Sequence, residues 1–210
     1  PRWTVHYQDM TFCIKQMGFK HTGLFPEQAV NWEFMMNKIK RSKRPIKVLN
    51  LFAYTGGATV ACLSAGASVT HVDSSRGMVD WCKENVKASG LEGAPVRYLV
   101  DDVKKFVARE IRRGNHYDAI IMDPPSYGRG TNGEVWDIEK DLALLVSMCS
   151  QILVEKPLFF LINSYTTGLS SYVLKNLLSE VLLPRFPGKV RCGEVGIPIA
   201  HSSLVLPCGI

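Results

Sequence analysis

No C-x-x-C pair occurs among the six cysteines (Cys13, Cys62, Cys82, Cys149, Cys192 and Cys208), and none has a histidine at metal-ligand spacing. The sequence therefore predicts no metal site. Cys62, Cys82 and Cys149 fall inside helical patterns and read as small buried hydrophobes, a usage that fits a reducing, cytoplasmic setting. No signal-peptide pattern and no apolar run of membrane length appears, so no membrane association is expected. Internal repeats and low-complexity segments are lacking too, which excludes a solenoid or a disordered array. The chain opens Pro1-Arg2 without Met, as a piece of a longer protein would. Acidic residues are the scarcer charge: 19 Asp and Glu against 25 Lys and Arg leave a net charge of +6. That excess permits an anionic partner such as nucleic acid without requiring one. Six of the basic residues crowd positions 38–47 (Lys38, Lys40, Arg41, Lys43, Arg44, Lys47), either as a phosphate-facing patch or as a solvated helix end and linker.

What is present is an ordinary globular composition, and 210 residues suffice for one sizeable core. Loose alternation over 3–15 suggests one or two strands outside the repeating part of the chain. Pro26 then opens a helix through Trp32, Met35, Met36 and Ile39, an apolar stripe that reads as core. From residue 46 strands and helices alternate, with strands at 47–53, 68–72, 96–100, 118–122 and 158–163. Helices fall at 57–66, 75–89, 102–113, 137–153 and 169–182, and Gly66 and Gly90 stand where helix ends favour a left-handed residue. This spacing predicts an α/β protein with a parallel, doubly wound sheet. Strand-like runs at 190–197 and 203–207 have no helix between them and predict an antiparallel hairpin at one sheet edge.

The stretch Tyr117 to Tyr127 carries the strongest local signal. Asp118 to Met122 is mostly apolar and β-prone, and Asp123-Pro124-Pro125 stops it. The prolines remove two donors, so a carboxylate and acceptor-only carbonyls gather at the strand's carboxyl end, the edge where open α/β sheets bind ligands. Such acceptors suit a substrate amino group; the plainer alternative is a rigid turn with a capping Asp. Two other strand ends also carry carboxylates, Asp73 and Asp101-Asp102. Asp73 follows the turn Tyr54-Thr55-Gly56-Gly57 by about 20 residues, where a nucleotide-binding fold sets an acid against ribose hydroxyls. The turn's glycines are expected to let a ligand approach the backbone. A nicotinamide binder would want G-x-G-x-x-G, whereas this chain has Ala53-Tyr54-Thr55-Gly56-Gly57-Ala58, and carboxylates repel pyrophosphate. S-adenosylmethionine, with a ribose, an adenine amino group and a positive sulfonium, suits an acidic crevice.

Leu49-Asn50-Leu51-Phe52-Ala53-Tyr54-Thr55-Gly56-Gly57, Asp73-Ser74-Ser75, Asp102 and Asp123-Pro124-Pro125-Ser126 together resemble class I S-adenosylmethionine-dependent methyltransferases. More narrowly they resemble the group that includes the bacterial large-subunit ribosomal RNA methyltransferases I and K. Phe19 to Gln28, Gly128-Arg129-Gly130 and Gly133-Glu134-Val135-Trp136 share in that likeness, which spans roughly residues 19–164. The resemblance implies a Rossmann-like, mostly parallel seven-stranded sheet in the order 3-2-1-4-5-7-6, with an antiparallel last strand. It implies a methyltransferase domain over 25–210, preceded at 1–24 by a short strand extension where many relatives carry an RNA-binding domain. For the cofactor, it assigns Asn50 and the turn Ala53, Tyr54, Thr55, Gly56 and Gly57 to the methionine part, and Asp73 with Ser74 to the ribose. Asp102 and Val103 fall to the adenine, and Phe25 and Gln28 line the cofactor from the amino-terminal side. Asp123, Pro124 and Pro125 would face the methyl donor and a substrate amine, with Ser126, Tyr127, Arg129 and Asn163 on the substrate side.

Relatives that make 5-methylcytosine carry an attacking cysteine after the fifth strand, where this chain has Leu161-Ile162-Asn163-Ser164-Tyr165-Thr166. The expectation is therefore methyl transfer to a base nitrogen of RNA, ribosomal RNA first, with Tyr127 available to stack on the base. The loop 127–136 would either close over that base, with Arg129 on a phosphate, or serve as a surface turn. A protein or small-molecule substrate, or a non-catalytic cofactor-binding module, are the alternatives, and the sequence sets no oligomeric state.

Overall fold

The computed structural model describes residues 2–18, 21–130 and 133–210. Phe19 and Lys20 of the amino-terminal segment, and residues 131 and 132 of the loop after the prolines, lie outside that description. The chain begins with a hairpin of β1 (Arg2–Tyr7) and β2 (Met10–Lys15), then a short 3-10 turn at Pro26–Gln28 leads into α1 (Ala29–Arg41). There follow β3 (Lys47–Leu51), α2 (Gly57–Ser64), β4 (Ser68–Asp73), α3 (Arg76–Ala88), β5 (Val96–Val100), α4 (Val103–Arg113) and β6 (Ala119–Met122). After a ribbon of β7 (Tyr127–Arg129) and β8 (Val135–Asp137) come α5 (Ile138–Ser150), β9 (Phe159–Ile162) and α6 (Ser171–Leu182). The hairpin β10 (Val195–Pro198) and β11 (Val205–Gly209) completes the chain.

The central sheet is parallel throughout and runs β5-β4-β3-β6-β9. Its inner strand β6 reads as a continuous apolar run because helices cover both faces, and all four of its residues are buried. Alternate side chains feed two cores. Leu49, Leu51, Ile120 and Met122 meet Phe106, Leu145 and Leu178 of α4, α5 and α6 on one face. Val48, Val69 and Ile121 meet Trp32, Val60 and Val86 of α1, α2 and α3 on the other, together with Phe12 and Ile14 of the opening hairpin. The strand order reverses between β3 and β6, which opens a crevice at their carboxyl ends. Gly66 (φ 90°) and Gly90 (φ 68°) take the left-handed conformation expected at the helix ends, and Cys62, Cys82 and Cys149 are buried. Among the described residues no helix is long and apolar enough to cross a membrane.

Three expectations need correction. Among the described residues the sheet has five strands, not seven, because there β10 and β11 pair only with each other. Pro198 and Pro207 each remove a ladder donor, and the register shifts at Val195/Gly196. The hairpin meets the sheet edge through one reciprocal pair of backbone bonds, Ser164 N to Ile210 O (2.7 Å) and Ile210 N to Ser164 O (3.0 Å). Residues 190–194 form no strand. The stretch after the prolines is not a plain loop but a ribbon, tied at its stem by Trp136 Nε1 donating to the Pro125 carbonyl at 2.7 Å and by Phe52 packing on Trp136. Of the basic residues at 38–47, Arg44 pairs with Asp118 at the foot of β6.

Candidate functional site

The β3–α2 turn is where the backbone departs most from ordinary geometry. Phe52 (φ 52°) and Tyr54 (φ 50°) are left-handed without being glycine, and Gly56 follows at φ 84°. Each such non-glycine residue costs on the order of 1–3 kcal/mol and persists only where its surroundings over-determine it. They do here. Tyr54 N donates to Asp73 Oδ2 at 2.9 Å, Ala53 N to Val72 O at 3.1 Å, and Gly56 N to Ala53 O at 3.0 Å. Thr55 Oγ1 donates to Gly23 O at 2.6 Å, and Asn85 Nδ2 donates to Thr55 O at 2.8 Å.

The turn's glycines are also held close against the protein itself. A Cβ on Gly56 would lie 2.1 Å from Cys82 Sγ, and one on Gly57 would lie 3.0 Å from the Trp32 ring. Gly56→Ala is expected to lose roughly 1–3 kcal/mol of stability through overpacking and the positive φ. A urea midpoint unchanged from wild type would contradict this.

Across the crevice, Asp123 ends β6. Burial pushes its carboxyl up to about 7; a hydrogen bond from Asn163 works against that rise and the Glu27 charge adds to it. Asn163 Nδ2 lies 3.3 Å from Asp123 Oδ1. Turned over, the same amide donates to Ile210 O at 3.1 Å and accepts from Gln28 Nε2 at 2.8 Å. The amino-terminal side is closed by the 3-10 turn and the loop after β9. Gln28 Nε2 donates to Tyr165 Oη at 2.8 Å, and Tyr165 Oη donates to Glu27 Oε1 at 2.8 Å. Phe25 stacks between Tyr54 and Tyr165, with centroids 5.7 and 5.3 Å away.

A cavity of about 60 Å³ lies between these walls. Of the residues singled out from sequence, Phe25, Gln28, Asn50, Ala53, Tyr54 and Thr55 line it, and so do Gly57, Asp123 and Asn163. Gly56 sits behind it against Cys82. Asp73, Ser74, Asp102 and Val103 stand at the next two strand ends along the same sheet edge, outside the cavity. Asp73 is held by two amides, Tyr54 N and Ser75 N (2.8 Å), and burial pushes its carboxyl up against their effect. Asp102 caps α4, accepting from Lys105 N at 2.9 Å, and Val103 is buried. Pro125 gives its carbonyl to Trp136, so one of the expected free acceptors is already taken. Ser126 shares a 2.8 Å hydrogen bond with Thr166, while Tyr127 and Arg129 are exposed on β7 and do not reach the cavity. Glu27 and Tyr165 received no site role from the sequence, although each adjoins or nearly adjoins a residue that did. Among the described residues no cluster of His, Cys, Asp and Glu suited to a metal is found.

Residues 2–176 match the family model described as S-adenosylmethionine-dependent methyltransferase. The chain is 31% identical over 166 residues to ribosomal RNA large subunit methyltransferase K/L of Syntrophotalea carbinolica, a match covering 78% of this chain and 22% of that protein. To ribosomal RNA large subunit methyltransferase K of Neisseria meningitidis it is 29% identical over 171 residues, covering 80% and 46%. The chain thus spans less than half the length of either curated relative. A solved structure, the SAM-dependent methyltransferase from Agrobacterium tumefaciens, shares 40% identity and a TM-score of 0.95, over 99% of this chain and 68% of that one.

Proposed function

The chain belongs to the S-adenosylmethionine-dependent methyltransferases, and from that premise we propose that it transfers a methyl group to a base nitrogen of RNA, with ribosomal RNA as the substrate. The observation that carries this reading is the placement of Asp123, sunk at the end of β6 and facing the strained β3–α2 turn across one cavity. S-adenosylmethionine supplies an already activated methyl on a positive sulfonium, so the protein's task is alignment and charge. Carboxylates at 73, 102 and 123 along one sheet edge favour a cationic ligand. The turn Tyr54 to Gly57, with Asn50 and Ala53 beneath it, is assigned the methionine part, and Phe25 and Gln28 cover it. Asp73 keeps a second lone pair on each oxygen after accepting its two amides, enough for ribose hydroxyls beside Ser74. Asp102 and Val103 take the adenine. The cavity by itself is far below the roughly 300–1,000 Å³ of a small-molecule site, so the nucleoside part is assigned to the open edge that leads past Asp73 to Asp102.

On the substrate side, the Asp123 carboxylate and the Pro124 carbonyl orient an amine, and Pro125 fixes the chain behind them. A carboxyl raised to about 7 is matched to accept a proton near neutrality. A paired base has to be turned out to reach it. The β7–β8 ribbon then offers Tyr127 for stacking and Arg129 for a phosphate, with Ser126 and Asn163 beside the reacting group. We assign the transferase unit to residues 25–210, with 1–24 as an extension docked on it, and place its action in the cytoplasm.

No cysteine lines the cavity, and burial pushes the Cys62, Cys82 and Cys149 thiols up, away from the reactive thiolate form. Replacing any one cysteine is therefore expected to leave transfer largely intact in a labelled-methyl assay. The substrate class is tested by offering methyl-labelled cofactor with total RNA and, separately, with total protein. Label in RNA supports the reading; label in protein alone moves the same chemistry to a protein side chain.

A further inference from the structure

Among the described residues β2 pairs with β1 along one edge only, and side chains from α3 take up the other. Trp81 and Asn85 of α3, with Ser89 at its carboxyl end, follow at four-residue spacing on one helix face. Trp81 Nε1 donates to Cys13 O at 2.8 Å, and Asn85 Oδ1 accepts from Cys13 N at 2.7 Å. Ser89 Oγ accepts from Thr11 N at 3.0 Å and donates to Thr11 O at 2.9 Å. Three side chains thus complete a strand edge that would otherwise stand open.

Asn85 does more than its two neighbours. Its Nδ2 donates to Thr55 O in the β3–α2 turn at 2.8 Å, and Thr55 Oγ1 donates onward to Gly23 O at 2.6 Å. Gly23 leads directly into Leu24 and Phe25, which line the cavity. Asn85 and Thr55 are buried. A continuous polar path therefore runs from Cys13 through Asn85 and Thr55 to Gly23, joining the opening hairpin, the turn and the cavity wall.

The chemistry of the path calls for an amide. Cys13 N can only donate and Thr55 O can only accept, so the two ends fix which way the Asn85 amide faces. Leucine would leave both backbone groups without a partner in the interior, a costly state. An ionised aspartate would keep the bond from Cys13 N but set a negative oxygen against the Thr55 carbonyl. The turn has a physical need for the clamp, because Phe52, Tyr54 and Gly56 are all held left-handed. Asp73 pins Tyr54 N from one side, and Asn85 pins the next residue from the other.

We infer that Asn85 is a positioning residue for methyl transfer: anchored on the β2 edge, it holds Thr55 and so keeps the strained turn in the shape that receives the cofactor. Asn85 does not itself line the cavity. The opening hairpin, as the anchor of that amide, is a working part of the cofactor site. This rests on the crevice being the cofactor site and deepens that reading.

Calorimetry with S-adenosylhomocysteine on the full chain tests the role, each variant being read as a ratio to wild type at the same pH. Asn85→Asp is expected to bind about tenfold more weakly at about pH 8, the scale of one buried hydrogen bond. At about pH 5 the buried acid takes up a proton, and its hydroxyl can donate to Thr55 O as the amide did. The ratio should then return to within about threefold of wild type. Ser89→Ala removes the neighbouring bonds to Thr11 and leaves the Thr55 contact alone, so its affinity should stay within about twofold of wild type. An equal loss in Ser89→Ala, or an Asn85→Asp deficit that does not change with pH, would reduce Asn85 to general support of the hairpin and overturn the positioning role. Undiminished affinity in Asn85→Asp would overturn it too, whereas failure of wild type to bind would overturn the cofactor reading itself. Should Asn85→Asp not fold, hydrogen exchange in wild type decides the matter. Coupling is reciprocal, so S-adenosylhomocysteine is expected to slow exchange at the Cys13 amide, held by Asn85, more than at the Thr11 amide, held by Ser89. Equal slowing at both, or none at Cys13, would refute the assignment.

Discussion

Asp123→Asn is expected to lower methyl transfer by about a hundredfold or more, the scale of a lost proton acceptor, while making the ligand-free protein more stable at pH 8. Both effects come from the same burial. An unfolded chain gives up this proton near pH 3.9, but the folded protein holds it to about 7. The folded pKa is raised, so the contribution to stability is fully present below about pH 4. It is lost as pH rises through about 7, at most about 4 kcal/mol in all. Asparagine fills the same space without a charge to bury, so the variant's unfolding free energy should lack this decline between pH 4 and pH 8. At pH 8 it should exceed wild type by about 1–3 kcal/mol once partial solvent access to the site is allowed for. The rate of the wild-type enzyme should rise through pH 7 as the carboxylate forms. Thermal unfolding of both proteins at pH 5 and pH 8 checks the stability half; an Asn variant less stable than wild type at pH 8 would mean that Asp123 is held as a paired anion.

The second large effect belongs to Asp73. Asp73→Ala should weaken S-adenosylhomocysteine about ten- to a hundredfold, as expected for losing hydrogen bonds to a charged acceptor. The structure adds a complication, because the same carboxylate pins Tyr54 N and Ser75 N. Its removal should also cost about 1–3 kcal/mol of stability and loosen the left-handed turn. A 2′-deoxy analogue separates the two effects: if Asp73 accepts from the ribose, wild type prefers the natural ligand and the Ala variant loses that preference. A folded Ala variant that binds S-adenosylhomocysteine as tightly as wild type would remove Asp73 from the site.

The parallel sheet was legible because its inner strands are buried and carry apolar runs, without interruption in Ala119–Met122. The crevice was legible for a related reason, since ligands gather at carboxyl strand ends and each of Asp73, Asp102 and Asp123 follows such an end. The number of strands was not. Nothing local in Val205–Gly209 tells whether it joins β9 or only its hairpin partner, and Pro207 tips the balance by withholding a donor. The β7–β8 ribbon was missed because three-residue strands leave no periodicity to read. Long-range partners were hidden as well. Tyr165 meets Glu27 across 138 positions of sequence, and the neighbour that forces glycine at 56 is Cys82, on a different helix. Asn50 was read as a cofactor residue, yet its buried partner Thr59, and His71 beyond it, looked like an ordinary helix residue and an ordinary strand residue.

The measurement that bears most directly on the central claim is mass spectrometry of nucleosides from RNA incubated with this protein and methyl-labelled S-adenosylmethionine. The account predicts label on a base nitrogen, lost with Asp123→Asn and kept in every single-cysteine variant. Label on carbon 5 of cytosine, lost when one cysteine is replaced, would contradict it.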